Sequence, residues 1–218
     1  MNPKQIAQLA FIALASLAVY MFVTSAQDGE ARAACSALCA LKPNYANVDR
    51  RVPDFELPDL DGKKVSMKSL RGKTVVLNFW TKTCRPCLEE MPSIAELASI
   101  WKDDKDKVVV TITTDASGDD ARATLKAVLG REPPFQVLVD SESQVVADLF
   151  GTKLFPETWV VDPEGIIRAR FDGPRDWSNP IVQGVATMAS SPGVACPVTF
   201  RAGKPEGPMR GVCETAGL

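Results

Sequence analysis

Two cysteines three residues apart, Cys84 and Cys87, stand where an apolar strand gives way to a helix. Upstream, Val75-Val76-Leu77-Asn78-Phe79-Trp80 has the composition of a buried strand. Downstream, Ile94, Leu97, Ala98 and Trp101 recur at helical spacing. Pro86 falls in the first helical turn, where a missing N–H leaves nothing unsatisfied. The junction constrains chemistry as well as shape. A helix N-terminus carries partial positive charge and free N–H groups, which favour a thiolate on Cys84. The spacing puts Cys87 one turn on and on the same helix face, so the two sulfurs can pair.

A close cysteine pair can also be half of a zinc site. Such a site needs a second close pair or histidines. The chain has no histidine, and its other four cysteines lie far from this pair. Redox chemistry is therefore the preferred reading, and no metal is expected. The missing imidazole also excludes a Ser-His-Asp triad, a Cys-His protease and a c-type haem site. With 25 basic and 27 acidic residues, the chain shows no nucleic-acid footprint.

A strand–CxxC–helix order is the sequence signal for a thioredoxin-like redox site. Leu77-Asn78-Phe79-Trp80, Cys84-x-Pro86-Cys87, Glu90 and Pro92 fall where the TlpA/ResA-type (AhpC/TSA-redoxin-like) thiol–disulfide oxidoreductases of the thioredoxin superfamily have them. The stretch from Pro53 to Lys73 resembles the opening of the same domains. The resemblance implies an α/β, thioredoxin-like fold: a central mixed sheet flanked by helices, preceded by an N-terminal hairpin. It implies Cys84 as nucleophile, Cys87 as resolving thiol, and Glu90 as a buried acid that moves the proton. A solvated surface acid is the plain alternative for Glu90. It also implies a cis peptide bond before Pro156, facing the cysteines, with the Phe155 backbone pairing with an extended substrate. A trans edge proline is the alternative there. Trp80, Arg85, Pro86 and Phe155 complete the expected substrate-binding set, although Trp80 also reads as packing beneath the site. Lys82 and Arg85 place positive charge near Cys84, yet surface charges on loops are usually inert. Asn78 stands where cytoplasmic thioredoxins carry a buried aspartate. Thr83 departs from the pattern, because an aromatic often precedes the first cysteine. No cofactor is implied. The implied partners are protein thiols and disulfides, such as those of apocytochrome c, and a membrane electron donor.

The rest of the chain divides into four parts. Residues 1–26 hold an apolar run, Ile6 to Val23, long enough at ~18 residues to span a bilayer. It reads as an uncleaved anchor or as a signal peptide cut after Ala26. Either places the remainder outside the cytoplasm, at the periplasmic face of the inner membrane or free in the periplasm. Residues 27–50 form a cysteine-containing linker, in which Ala31 to Leu41 reads as a short helix bearing Cys35 and Cys39. Residues 51–190 are the thioredoxin-like domain and residues 191–218 a tail with Cys196 and Cys213. Local pairing, Cys35–Cys39 with Cys196–Cys213, is slightly preferred. Crossed pairing stands close behind, because a disulfide between i and i+4 strains a helix.

Within the domain, two short strands flank the turn at Asp61-Gly62. Strands are expected at 107–115, 135–140, 157–162 and 166–171. Helices are expected at 121–129, 143–150 and 176–190, the last with Ile181, Val182, Val185 and Met188 inward. Two further functions remain open. Thr81, three before Cys84, suits a peroxiredoxin-like peroxidase, but Leu77 stands where that family has proline. A redox-inert binding module stapled by disulfides is the third.

Overall fold

The computed structural model describes residues 2–40, 49–188, 196 and 198–215. At its centre is a five-stranded sheet in the order β5-β4-β3-β6-β7. Its strands are β3 (Thr74–Trp80), β4 (Lys107–Thr113), β5 (Gln136–Val139), β6 (Glu157–Val161) and β7 (Ile167–Asp172). β3, β4 and β5 run parallel; β6 and β7 are antiparallel to their neighbours. The Pro163-Glu164-Gly165 turn returns the chain between β6 and β7, so the sheet is mixed, as the resemblance implies.

β3 is buried along its whole length. Alternation sends Val75, Leu77 and Phe79 to one face and Val76, Asn78 and Trp80 to the other. The first face packs under the hairpin of β1 (Glu56–Pro58) and β2 (Lys64–Ser66), with Phe150, which meets Phe79 edge-on and Trp159 at a tilt. The second face receives α2 (Arg85–Trp101), α3 (Gly118–Leu129) and α4 (Pro180–Met188) through Met91, Ile94, Leu97, Leu125 and Ala186. Fully burying one such large apolar side chain is worth about 1.5–3 kcal/mol.

Local signals set the ends of these elements. Ser117 caps α3 by accepting from the Asp120 N–H, and Gly130 closes it with a left-handed backbone, φ 68°. The helix expected over 143–150 is a single wide-turned π segment, Gln144–Leu149. α4 begins later than expected, at Pro180, after a loop that buries Trp177. Val182 packs inward as expected, whereas the side chains of Ile181, Val185 and Met188, and residues 189 and 190, lie outside the described residues.

The N-terminal part differs from expectation. The apolar run and the Cys35/Cys39 segment lie on one continuous helix, α1 (Pro3–Ala40), so the short helix expected from Ala31 is not a separate element. No proline interrupts residues 4–40, and a single glycine, Gly29, disfavours helix too weakly to end it. The division expected at residue 26 thus falls inside α1, and Leu41 lies outside the described residues. The apolar stretch Pro3–Gly29 has the length and composition to cross a membrane, and its most apolar window is unburied among the described residues.

The disulfide pairing is also corrected. Cys35 bonds Cys196 and Cys39 bonds Cys213, with Cα separations of 5.0 and 5.1 Å. Four residues apart on an unbroken helix, Cys35 and Cys39 point the same way, and each reaches a separate tail segment instead of straining the helix by bridging. The tail carries a small hairpin, β8 (Thr199–Arg201) with β9 (Lys204–Glu206), and the short helix α5 (Arg210–Thr215). Its core is the four sulfurs with Val198 and Phe200.

Candidate active site

The site lies at the carboxyl end of β3. The chain leaves the sheet at Trp80, turns through Thr81 to Thr83, and enters α2 at Cys84. Cys84 is the N-cap: its Sγ accepts the Cys87 N–H at 3.2 Å, and its own N–H donates to the Thr81 carbonyl at 3.0 Å. Cys84 and Cys87 are bonded, with Cα atoms 5.3 Å apart. Cys84 is half-buried, whereas Cys87 is 0% exposed. An incoming sulfur can therefore reach only Cys84. When the pair is reduced, the same N–H and the helix N-terminus lie ready to stabilise a Cys84 thiolate.

Beneath the pair sits Glu90, one turn beyond Cys87 and 4% exposed. The surface-acid alternative is thereby overturned. Its Oε1 accepts from Asn78 Nδ2 at 2.7 Å and its Oε2 from the Arg175 N–H at 3.0 Å. Asn78 also donates to Thr158 Oγ1 on β6, 2.8 Å away. Burial pushes the Glu90 carboxyl above its ordinary value, while the Arg175 N–H and the Asn78 amide hold it down. A groove of about 490 Å³ runs past this acid, between α2 and residues 174–178.

The Phe155–Pro156 bond is cis. Glu157 pairs with Phe79, so Pro156 lies beside Trp80, at the sheet edge from which the Cys84 loop departs. Pro156 is buried, Phe155 is half-buried, and Leu154 stands 82% exposed just outside. Trp80 does not belong among substrate-binding residues. It is 0% exposed, its Nε1 donates to Thr111 Oγ1, and it packs in the α2 layer. Pro86 and Arg85 are exposed at the helix start. The two cations near Cys84 are already paired: Arg85 with Glu89 at 2.8 Å, and Lys82 with Asp120 at 2.6 Å.

Several neighbours escaped the sequence reading. Asp115, just past β4, accepts from Thr81 Oγ1 (2.7 Å), the Lys82 N–H (3.0 Å) and Thr113 Oγ1 (2.8 Å), and so fixes the loop leading to Cys84. Its position past the carboxyl end of a parallel strand is the signal that could have found it. Glu157, next to the cis-proline, is buried against Thr152 and Arg170, and burial raises its carboxyl. Arg175 reaches Glu90 through its backbone, which no sequence pattern announces.

The sequence profile of the AhpC/TSA family matches residues 48–170. Thioredoxin-like protein YneN of Bacillus subtilis is 32% identical over 120 residues, 55% of this chain and 68% of that protein. Thiol-disulfide oxidoreductase ResA of Bacillus thuringiensis subsp. konkukian is 31% identical over 132 residues, 61% of this chain and 73% of that one. Among solved structures, a Chlorobium tepidum protein provisionally assigned as thiol:disulfide interchange protein DsbE is 27% identical, with a TM-score of 0.57. That match covers 69% of this chain and 99% of the other.

Proposed function

This chain belongs to the AhpC/TSA family and is a thiol–disulfide oxidoreductase of the ResA type; we propose that it is an exported reductase, held at the cell envelope by α1, that reduces disulfides of other exported proteins. The observation that carries the reading is the asymmetry of the pair. One sulfur is reachable and caps a helix, while the other is buried behind it. The Cys84 thiolate attacks a substrate disulfide, forming a mixed disulfide and releasing one substrate thiolate. Cys87 then gives up its proton to Glu90 and attacks Cys84, which frees the second substrate thiol and leaves the Cys84–Cys87 disulfide. Glu90 suits that step because its raised affinity for a proton is poised by burial one turn away. The Phe155 backbone and Pro156 offer an edge along which an extended substrate lies. The thioredoxin-like unit spans residues 51–190, and the tail braces it. Disulfides of the apocytochrome c class are the proposed substrates, by kinship with ResA. A membrane donor returns two electrons and two protons per cycle.

The peroxidase alternative is not favoured. The Thr81 hydroxyl is directed to Asp115 rather than toward Cys84. The deciding measurement is the reduction potential of Cys84–Cys87 in the full chain, with Cys84→Ser as control. A value near about −270 mV supports a reductase, and one near about −120 mV makes it an oxidant. A pair that does not exchange leaves only a binding module.

A further inference from the structure

A buried acid that trades protons depends on how much water reaches it. At Glu90 that is decided by the loop between β7 and α4. Ser93, three residues on from Glu90, is half-buried at the edge of this loop. Its Oγ donates to the Glu90 main-chain carbonyl at 2.8 Å and accepts the Trp177 N–H at 3.1 Å. Two residues earlier in the loop, the Arg175 N–H reaches Glu90 Oε2. One hydroxyl thus ties the backbone of the acid to the backbone of the loop that covers it. Other contacts hold the loop from beneath. Trp177 is 0% exposed and meets Phe171 edge-on, and Gln183 of α4 donates to the carbonyls of Trp177 and Ser178 at 3.1 and 3.2 Å. Outside lies the groove between α2 and the loop, with Glu90, Ser93 and Arg175 in its wall and ample room for water.

From this geometry we infer that Ser93 is a positioning residue for disulfide exchange: it pins residues 175–177 across the groove, which keeps the Arg175 N–H on Glu90 and the groove's water off it. Its part in exchange rests on the proton transfer proposed above for Glu90. The loop acts on the acid in two opposing ways. Covering it strengthens its hold on a proton, and the N–H weakens that hold. The two do not cancel when the loop lets go. Water entering from the groove replaces the N–H as donor, so little is lost there, while the covering is undone. Losing the pin therefore leaves Glu90 a weaker base. Charge does not reverse the sign. Asn78 and Thr158, which reach in from β3 and β6, are neutral, as is Gln183 on α4. β7 turns Phe171 to this side, while Arg170 pairs with Glu157. On α2, Glu89 and Glu96 line the groove and stay in place, Glu89 paired with Arg85. The loop carries one charge of each sign into the groove, Arg175 and Asp176, and its movement takes both away together. In the second step of exchange the Cys87 proton passes to Glu90, the Cys87 sulfur bonds to Cys84, and the substrate sulfur leaves with the electron pair of the mixed disulfide. A weaker base slows that step.

The test is a pH titration of the full chain in detergent micelles, followed by NMR of carbon-13-labelled glutamate carboxyls. Cys84–Cys87 is kept oxidised, so that neither thiol titrates beside the acid. The Glu90 signal is the one lost in Glu90→Gln. Ser93→Ala should move its midpoint to lower pH by about half a unit, a roughly threefold weaker hold on the proton. Ser93→Thr, which keeps the hydroxyl, should leave it where the parent has it. Gln183→Ala loosens the loop from the α4 side and should move the midpoint downward too, which keeps the test open if Ser93→Ala fails to fold. Arg175→Ala keeps the N–H and loses the charge, so it should move the midpoint upward. A midpoint that stays or rises in both loosened variants overturns the positioning role. The second readout is oxidation of the reduced pair by oxidised glutathione, with the mixed disulfide at Cys84 followed by acid quench and mass spectrometry. Ser93→Ala should slow its resolution by up to about threefold, and add nothing in a Glu90→Gln background. Equal slowing in both backgrounds overturns a role through Glu90. A parent pair that does not exchange overturns the function proposed above, and Ser93's part in it. The titration of the oxidised protein keeps that outcome distinct from an unmoved midpoint.

Discussion

The molecule holds the same covalent bond in two places and puts it to opposite uses. At the carboxyl end of β3, Cys84 and Cys87 are three residues apart, one sulfur within reach of solvent and receiving a helix N–H. Between α1 and the tail, the paired cysteines are 161 and 174 residues apart and buried to within 3%. A local disulfide constrains the unfolded chain little, so reducing it disturbs the fold little. A distant one closes a long loop and stabilises much more. Exchange further requires that a thiolate reach a sulfur. Separation along the chain and access to solvent, rather than the bond itself, divide the redox centre from the bonds that fasten the tail.

Substituting the cysteines of each should separate the two roles, and the largest effect is expected at the redox pair. Cys84→Ser should abolish disulfide exchange, read as insulin reduction, while leaving the melting temperature nearly unchanged. A parallel fall in stability would break the comparison. At the tail, the two bonds are coupled. With Cys35–Cys196 in place, Cys39–Cys213 closes only the short circuit through α1 and the tail. Losing one bond should cost about 3 kcal/mol in the chain-entropy model, and losing both about 8 kcal/mol. The tail, followed by limited proteolysis, should be released in the double removal while exchange at Cys84 continues.

A smaller effect is expected at Glu90, where the fold's stability and the chemistry pull in opposite directions. Glu90→Gln should slow exchange by about 10²-fold, the usual range for losing a positioned acid–base group. Its folded-state affinity for the proton is raised by burial. Between the ordinary glutamate value, about 4.3, and that raised value, the folded protein holds a proton the unfolded chain has lost. The contribution to stability is full below this window and is lost as pH rises through it. Denaturant titrations across pH should show a smaller decline in Glu90→Gln than in the parent, because the raised carboxyls of Glu157 and Asp140 remain in both. A decline of equal size in both would place its cause elsewhere.

Legibility in the sequence follows the same division. β3, α2 and the cysteine pair could be read because their signals are local: an apolar run, a helical period, a spacing of three. The mixed sheet and the cis bond before Pro156 were reached through resemblance alone. The pairing of Cys35 and Cys39 was not readable, since it depends on where a tail more than 150 residues away is carried. The burial of Glu90, implied by resemblance and not by any local pattern, depends on Asn78, twelve residues back, and on a backbone N–H eighty-five residues on. An acid on a helix looks the same in sequence whether solvent or a folded loop covers it. Of the two readings of Trp80, substrate contact and packing beneath the site, the structure keeps the second, because alternation in β3 turns the ring into the α2 layer.

The smallest effect is expected from the cations beside Cys84, and it sharpens the account of how that sulfur is activated. Lys82 and Arg85 look in sequence like a positive field for a thiolate. In the structure each is spent on a carboxylate, Asp120 and Glu89, and the pairs are open to solvent that screens them. What acts on Cys84 at short range is the α2 N-terminus, in a fixed geometry and at one hydrogen bond's distance. Arg85→Ala should therefore change the rate of Cys84 alkylation by less than about twofold at ordinary ionic strength. Added salt should leave the variant and the parent alike. A tenfold fall in Arg85→Ala, erased by salt, would transfer the activation from the helix to the side-chain charge.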